Sequence, residues 1–119
     1  HIIMDAYNAN PTSMIAALQN FSGLPSPRKA IILGDMLELG KISEAEHKLV
    51  LETALEMKPD KLLLVGQEFG RVKIENSRII KFSHYNDALS WLQKNPLSGY
   101  TVLIKGSRGI QLEKLEPLL

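Results

Sequence analysis

Three short runs made almost wholly of aliphatic residues govern what this chain can become: Ala30-Ile31-Ile32-Leu33, Lys61-Leu62-Leu63-Leu64-Val65 and Thr101-Val102-Leu103-Ile104. A strand that faces water on one side alternates apolar and polar residues, so unbroken apolarity predicts strands covered on both faces. Ile2-Ile3-Met4 and Arg78-Ile79-Ile80-Lys81-Phe82 are weaker runs of the same kind. The segments between them are long enough to hold helices, and that alternation predicts a parallel sheet. The expected architecture is α/β: residues 1–119 as one domain, a single doubly wound, mainly parallel, Rossmann-like sheet of about five or six strands flanked by helices.

The helices carry start signals of their own. Asn10 reads as an N-cap with Pro11 at the first helical position, where a missing N–H costs nothing, and Met14, Ala17, Leu18 and Phe21 then share a face. Ser43 followed by Glu46 reads as a capping box, with Leu49, Val50, Ala54 and Met57 as an apolar stripe ended by Lys58-Pro59. Ser83 is the expected cap of a third helix, with Tyr85, Ala88, Leu89 and Leu92 on one face. Residues 66–70 suggest a short helical turn, and Leu112, Leu115 and Leu119 a last helix after Gly109.

Fourteen basic residues against thirteen acidic ones leave a net charge of +1, so no broad positive field exists to draw in nucleic acid or anionic lipid, and any anion site must be local. The chain has no cysteine, which excludes disulfides and thiolate metal clusters and makes a reducing compartment, the cytoplasm, the expected location. No apolar run approaches the ~20 residues that span a bilayer. The chain starts inside an apolar run with no initiator methionine, which predicts a piece of something longer.

In parallel sheets ligands bind beyond the carboxyl ends of the strands, and three strand ends here are unusual. In Asp5-Ala6-Tyr7-Asn8-Ala9-Asn10-Pro11 a carboxylate, a phenol and amides crowd a strand-to-helix gap. They suit hydroxyls and an anion at the helix end, or else Asn10 only caps and Asp5 only binds turn amides. In Gly34-Asp35-Met36-Leu37-Glu38-Leu39-Gly40 the loop is too apolar for an idle surface: it closes over a ligand, or its leucines pack on the core while Asp35 satisfies nearby amides. Lys105-Gly106-Ser107-Arg108-Gly109 offers two cations, a hydroxyl and backbone amides to a carboxylate or phosphate, or is a solvated basic turn. The GxxxxGK[ST] spacing of a phosphate-cradling loop is absent from the chain. His1, His47 and His84 show no metal-ligand spacing, and Trp91 reads as packing.

These three segments, in order and across nearly the whole chain, resemble the Mur ligase family, and in particular its dipeptide-adding branch, since sister ligases typically carry a histidine where Asn8 stands. The resemblance implies the C-terminal domain of a three-domain, ATP-dependent amide-bond ligase of peptidoglycan synthesis. It implies ATP and Mg2+ held mainly by a central P-loop domain of the same chain. It further implies a UDP-N-acetylmuramoyl-tripeptide whose carboxylate becomes an acyl phosphate, and D-alanyl-D-alanine as the incoming amine. On the same basis Asp5 and Asn8 stand at ATP, and Asn8, Asn10, Asp35, Lys105, Ser107 and Arg108 at the substrates. No residue here is then a catalytic acid, base or nucleophile, none ligates metal, and the fragment alone is inactive. Two other readings compete: another Mur or folylpolyglutamate-type ligase, and a receiver-like signalling domain using Asp5, Ser83 and Lys105. Tyr7-Asn8-Ala9-Asn10 argues against the first, and Val65-Gly66, which offers no phosphorylatable aspartate, against the second.

Overall fold

The computed structural model describes residues 1–5 and 9–119, the side chain of Asp5 excepted. All five apolar runs are strands: β1 (Ile2–Asp5), β2 (Lys29–Gly34), β3 (Lys61–Val65), β4 (Ile79–Phe82) and β5 (Thr101–Lys105). They form one parallel sheet in the order β1-β5-β2-β3-β4. The three strong runs are the three interior strands, and the two weak runs are the edges. Interior strands need apolar residues on both faces, whereas an edge strand such as β4 can leave Lys81 exposed.

Helices α1 (Pro11–Ser22), α2 (Ser43–Glu56), the single turn α3 (Gln67–Gly70) and α4 (Tyr85–Lys94) fill the connections. The chain steps one way across the sheet from β1 to β4 and then returns through α4 to insert β5. Parallel crossovers are right-handed, so connections running in opposite directions place their helices on opposite faces. Two cores result. Ile31, Leu33, Leu62, Leu64 and Leu103 pack with Met14, Leu18 and Phe21 of α1, Val50, Leu51 and Ala54 of α2, and Phe69 of α3. The alternate residues Ala30, Ile32, Leu63, Val65, Val102 and Ile104 pack with Ala88 and Leu92 of α4 and with Leu97, Leu112 and Leu115.

Local signals held at α1 and changed elsewhere. Asn10 caps α1: its Oδ1 accepts the Ser13 N–H at 2.9 Å and its own N–H donates to Ser13 Oγ at 3.0 Å, a reciprocal box at that helix start. The box expected from Ser43 and Glu46 does not form. A 3-10 turn, Gly40–Ile42, leads straight into α2, so Ser43 is already helical and its side chain turns inward. The buried face of α2 is Ser43, His47, Val50, Leu51 and Ala54, positions i, i+4, i+7, i+8 and i+11 of one helical side, which leaves Leu49 50% exposed. His84 rather than Ser83 caps α4, its Nδ1 accepting the Asn86 N–H at 3.2 Å. The last segment is 3-10 rather than α: Arg108–Ile110 and Leu112–Leu118 are divided by Gln111 at φ +61°, and Pro117 lacks the N–H an α turn would use.

Candidate functional site

The sheet order brings together what the sequence keeps apart. β1, β5 and β2 are neighbours, so the three unusual strand ends emerge side by side, Asp5 in register with Lys105 and Leu33 with Lys105 on its other side. Glycines let the exits of β2 and β5 approach closely. A Cβ added to Gly106 would lie 2.7 Å from the Gly34 Cα, and one added to Gly34 would lie 2.8 Å from Leu112 Cδ1. The loops beyond are stitched together, for Ser107 N–H donates to the Asp35 carbonyl at 3.0 Å and Leu37 N–H donates to Ser107 Oγ at 2.9 Å.

Asp35 follows β2 directly and is buried. Its carboxylate accepts the Glu68 N–H at 2.8 Å and the Phe69 N–H at 2.9 Å, tying the end of β2 to the first turn of α3. Gly66, which opens that turn at φ +127°, leaves room for the carboxylate: a Cβ there would stand 2.2 Å from Asp35 Cγ. Burial pushes the Asp35 carboxyl above its ordinary value of 3.8, while the two backbone N–H groups pull the other way.

His47 of α2 completes this knot. Its Nε2 accepts the Met36 N–H at 3.0 Å, so that nitrogen carries no proton, and Nδ1 stands 2.7 Å from the Ser43 carbonyl oxygen, to which it donates. The 4.0 Å approach of Nε2 to Asp35 Oδ1 is therefore a contact with a neutral ring and not an ion pair. Ser43 Oγ lies 3.1 Å from Nδ1 and donates to Glu68 Oε1 at 2.6 Å, and Glu68 is in turn paired with Arg71. The His47 ring also meets Phe69 edge-on, with centroids 4.6 Å apart at 84°.

Among the described residues, two clefts flank the loop after β2. One, of about 360 Å³, is walled by residues 35–40 with Gly66, Gln67, Glu68 and Ser83 across from them. The other, of about 700 Å³, lies between the starts of α1 and α2, with Asn10, Thr12 and Ser13 facing Leu39, Ile42 and Glu46. Leu39 lines both, so the loop after β2 divides them.

The residues singled out in the sequence fall into this arrangement unevenly. Asp35, Lys105, Ser107 and Arg108 converge at the exits of β2 and β5. Lys105 is buried at the end of its strand and Arg108 is exposed in the 3-10 turn, and both are engaged by other groups of the chain. Asn10 borders the larger cleft while capping α1. Asp5, through its side chain, and Asn8 lie outside the described residues. His47, Ser43, Gly66 and Glu68 were not expected at the site. The glycine immediately after β3 was the readable hint, matching Gly34 at the end of β2 and Gly106 after β5. Among the described residues no three His, Cys, Asp or Glu side chains converge as a metal site would require.

Fold and edge together define a class: a parallel, doubly wound α/β domain whose sequence carries no GxxxxGK[ST] run and whose strand exits wall open clefts. Within that class the chain belongs to the Mur ligase family, since residues 1–108 match the family described as "Mur ligase, glutamate ligase domain". It is 37% identical to the UDP-N-acetylmuramoyl-tripeptide--D-alanyl-D-alanine ligase of Bacillus subtilis, over 96% of this chain and 26% of that protein. It is 33% identical to the Escherichia coli protein of the same name, over 96% and 25% respectively. Among solved structures, MurF from Acinetobacter baumannii superposes with a TM-score of 0.83 at 32% identity, covering 98% of this chain and 26% of that one. MurF ligase from Thermotoga maritima in complex with ADP superposes with a TM-score of 0.79 at 25% identity, covering 98% and 27%. The chain thus spans about a quarter of the length of these relatives.

Proposed function

We propose that residues 1–119 are the C-terminal domain of a cytoplasmic, ATP-dependent ligase that joins D-alanyl-D-alanine to UDP-N-acetylmuramoyl-tripeptide in peptidoglycan synthesis. The observation that carries this reading is the adjacency of the exits of β1, β5 and β2, so that the three family-like segments start from neighbouring strands. The name shared by the relatives and the ADP of the Thermotoga maritima complex support the substrates.

In the reaction the amine nitrogen of the dipeptide attacks the carbonyl carbon of an acyl phosphate. The C–N bond forms, phosphate leaves with the electrons of the C–O bond, and the amine gives up a proton. A domain of this kind contributes by holding the amine in line, and positioning of this sort supplies several kcal/mol. Closure against the central P-loop domain of the same chain would keep water from a hydrolysable intermediate. Asp5 and Asn8 are our candidates for contact with ATP. Asn8, Asn10, Asp35, Lys105, Ser107 and Arg108 are the candidates on the substrate side. Asp35 acts there through its loop, since its carboxylate oxygens already take the α3 amides. Lys105 and Arg108 supply positive charge for a carboxylate or for charge developing in the reaction. Mg2+ belongs to the central domain in this reading, and the fragment alone is inactive.

The test is phosphate release from ATP by the full-length protein. It should require both UDP-muramoyl-tripeptide and D-alanyl-D-alanine, and Arg108→Ala should raise the KM for the dipeptide more than that for ATP. Equal turnover with glutamate as acceptor refutes the assignment.

A further inference from the structure

Three consecutive backbone N–H groups at the start of the loop after β2 are held by three different parts of the fold. Asp35 N–H donates to the Val65 carbonyl at 3.1 Å, Met36 N–H to His47 Nε2 at 3.0 Å, and Leu37 N–H to Ser107 Oγ at 2.9 Å. Beyond Leu37 the path is unusual: Glu38 sits at φ +65° and Gly40 at φ +60°, and no regular element runs through residues 35–39. Leu37 is 42% exposed. A loop of this kind keeps one shape only if its root is fixed, and its root is residues 35–37.

Of the two side chains in that set, His47 is the buried one. With no exposed surface it makes two hydrogen bonds in opposite directions, accepting at Nε2 and donating at Nδ1 to the carbonyl of Ser43. The Ser43 bond fixes the tautomer that leaves Nε2 as an acceptor, and Ser43 is itself held by Glu68 at the start of α3. A core position that needed only bulk would be filled by leucine at no polar cost. We propose that His47 is a positioning residue: by accepting the Met36 N–H it sets the loop 35–40 that divides the two clefts, and so the placement of the acceptor dipeptide. The kinetic part rests on the ligase reading, and the geometric part does not.

The experiment compares His47→Gln with His47→Leu in the full-length protein. Glutamine can place an amide oxygen where Nε2 stands, whereas leucine fills the space and leaves the Met36 N–H without a buried acceptor. Hydrogen exchange of the peptide covering residues 35–40 should quicken about tenfold or more in His47→Leu and stay near wild type in His47→Gln. The KM for D-alanyl-D-alanine should rise about tenfold in His47→Leu, with kcat and the KM for ATP little changed, and His47→Gln should recover most of that loss. Identical behaviour of the two variants overturns the proposal. So does a loss confined to global unfolding, with exchange at 35–40 unchanged, because His47 would then be a packing residue. If wild type shows no dipeptide-dependent phosphate release, the ligase reading fails while the exchange comparison still decides the role of His47.

Discussion

Gly66→Ala offers the sharpest test of how the carboxyl edge is held. The added methyl would sit 2.2 Å from Asp35 Cγ and 2.3 and 2.5 Å from its two oxygens, where ordinary contact begins at 3.4 Å. The carboxylate would have to retreat by more than 1 Å, enough to break both bonds it accepts at 2.8 and 2.9 Å. Hydrogen bonds to a charged group are worth ~1.5–3 kcal/mol each. The backbone adds a separate cost, because φ +127° with ψ 165° is a region that glycine alone occupies freely, and a side chain there costs ~1–3 kcal/mol. Together the loss should be about 4 kcal/mol or more, a large part of the ~5–15 kcal/mol that holds a domain together. Urea unfolding of the 119-residue chain measures it, with Gly70→Ala as a control, since nothing lies within 4 Å of that added methyl. A double-mutant cycle with Asp35→Ala separates the terms: the clash should vanish in that background and leave only the backbone cost. A Gly66→Ala loss below about 1 kcal/mol, or one unaltered by Asp35→Ala, would refute the account.

Two further outcomes follow from the same geometry. Because burial raises the folded-state pKa of Asp35 above 3.8, the native state holds that proton more tightly than the unfolded chain does. The associated stability is therefore present in full below 3.8 and lost as pH rises through the folded value. Asp35→Asn cannot titrate and sets an amide donor against one of two N–H donors, so its deficit in urea unfolding should be widest near pH 4 and narrow toward neutrality, and a deficit that grows with pH would show that the N–H groups outweigh burial. Asn10→Ala removes the cap at Ser13 N–H and should cost about 1 kcal/mol with an unchanged denaturant slope, and a loss under about 0.3 kcal/mol would mean that Pro11 and the α1 packing carry that helix start without it.

Much of the fold was legible because one physical quantity, burial on both faces, shows directly in composition. The interior strands β2, β3 and β5 had to be continuous in aliphatic residues, and β1 and β4 did not. Helix details were less legible because the same short pattern serves two purposes. Ser43 and Glu46 have the spacing of a cap, but Ser43 turns inward to His47 and Glu68, a choice set by a partner 25 residues away in sequence. Leu49 looked like core because it is leucine, yet the phase of α2 is fixed by Ser43, His47 and Val50, and a polar histidine took the place a periodicity count gives to an apolar residue.

The candidate site shows the same division at a larger scale. Each of its segments could be recognised locally, since a glycine at a strand exit followed by polar or cationic groups is a local pattern. What joins them is topology: the return of the chain through α4 inserts β5 between β1 and β2, so residues 105–109 land between segments that precede them by roughly 70 and 100 positions. No local pattern encodes that insertion. Once it is made, the loops after β2 and β5 can hold one another through Asp35, Leu37 and Ser107, and α2 and α3 can brace the first of them through His47 and Glu68. A substitution at His47 or Gly66 should therefore reshape the clefts without touching any ligand, whereas one at Arg108, proposed above as a contact residue and exposed, should change binding more than it changes hydrogen exchange at residues 35–40. The separation of those two kinds of effect is what a site built from strand exits predicts, and it distinguishes positioning residues from contact residues without a bound substrate.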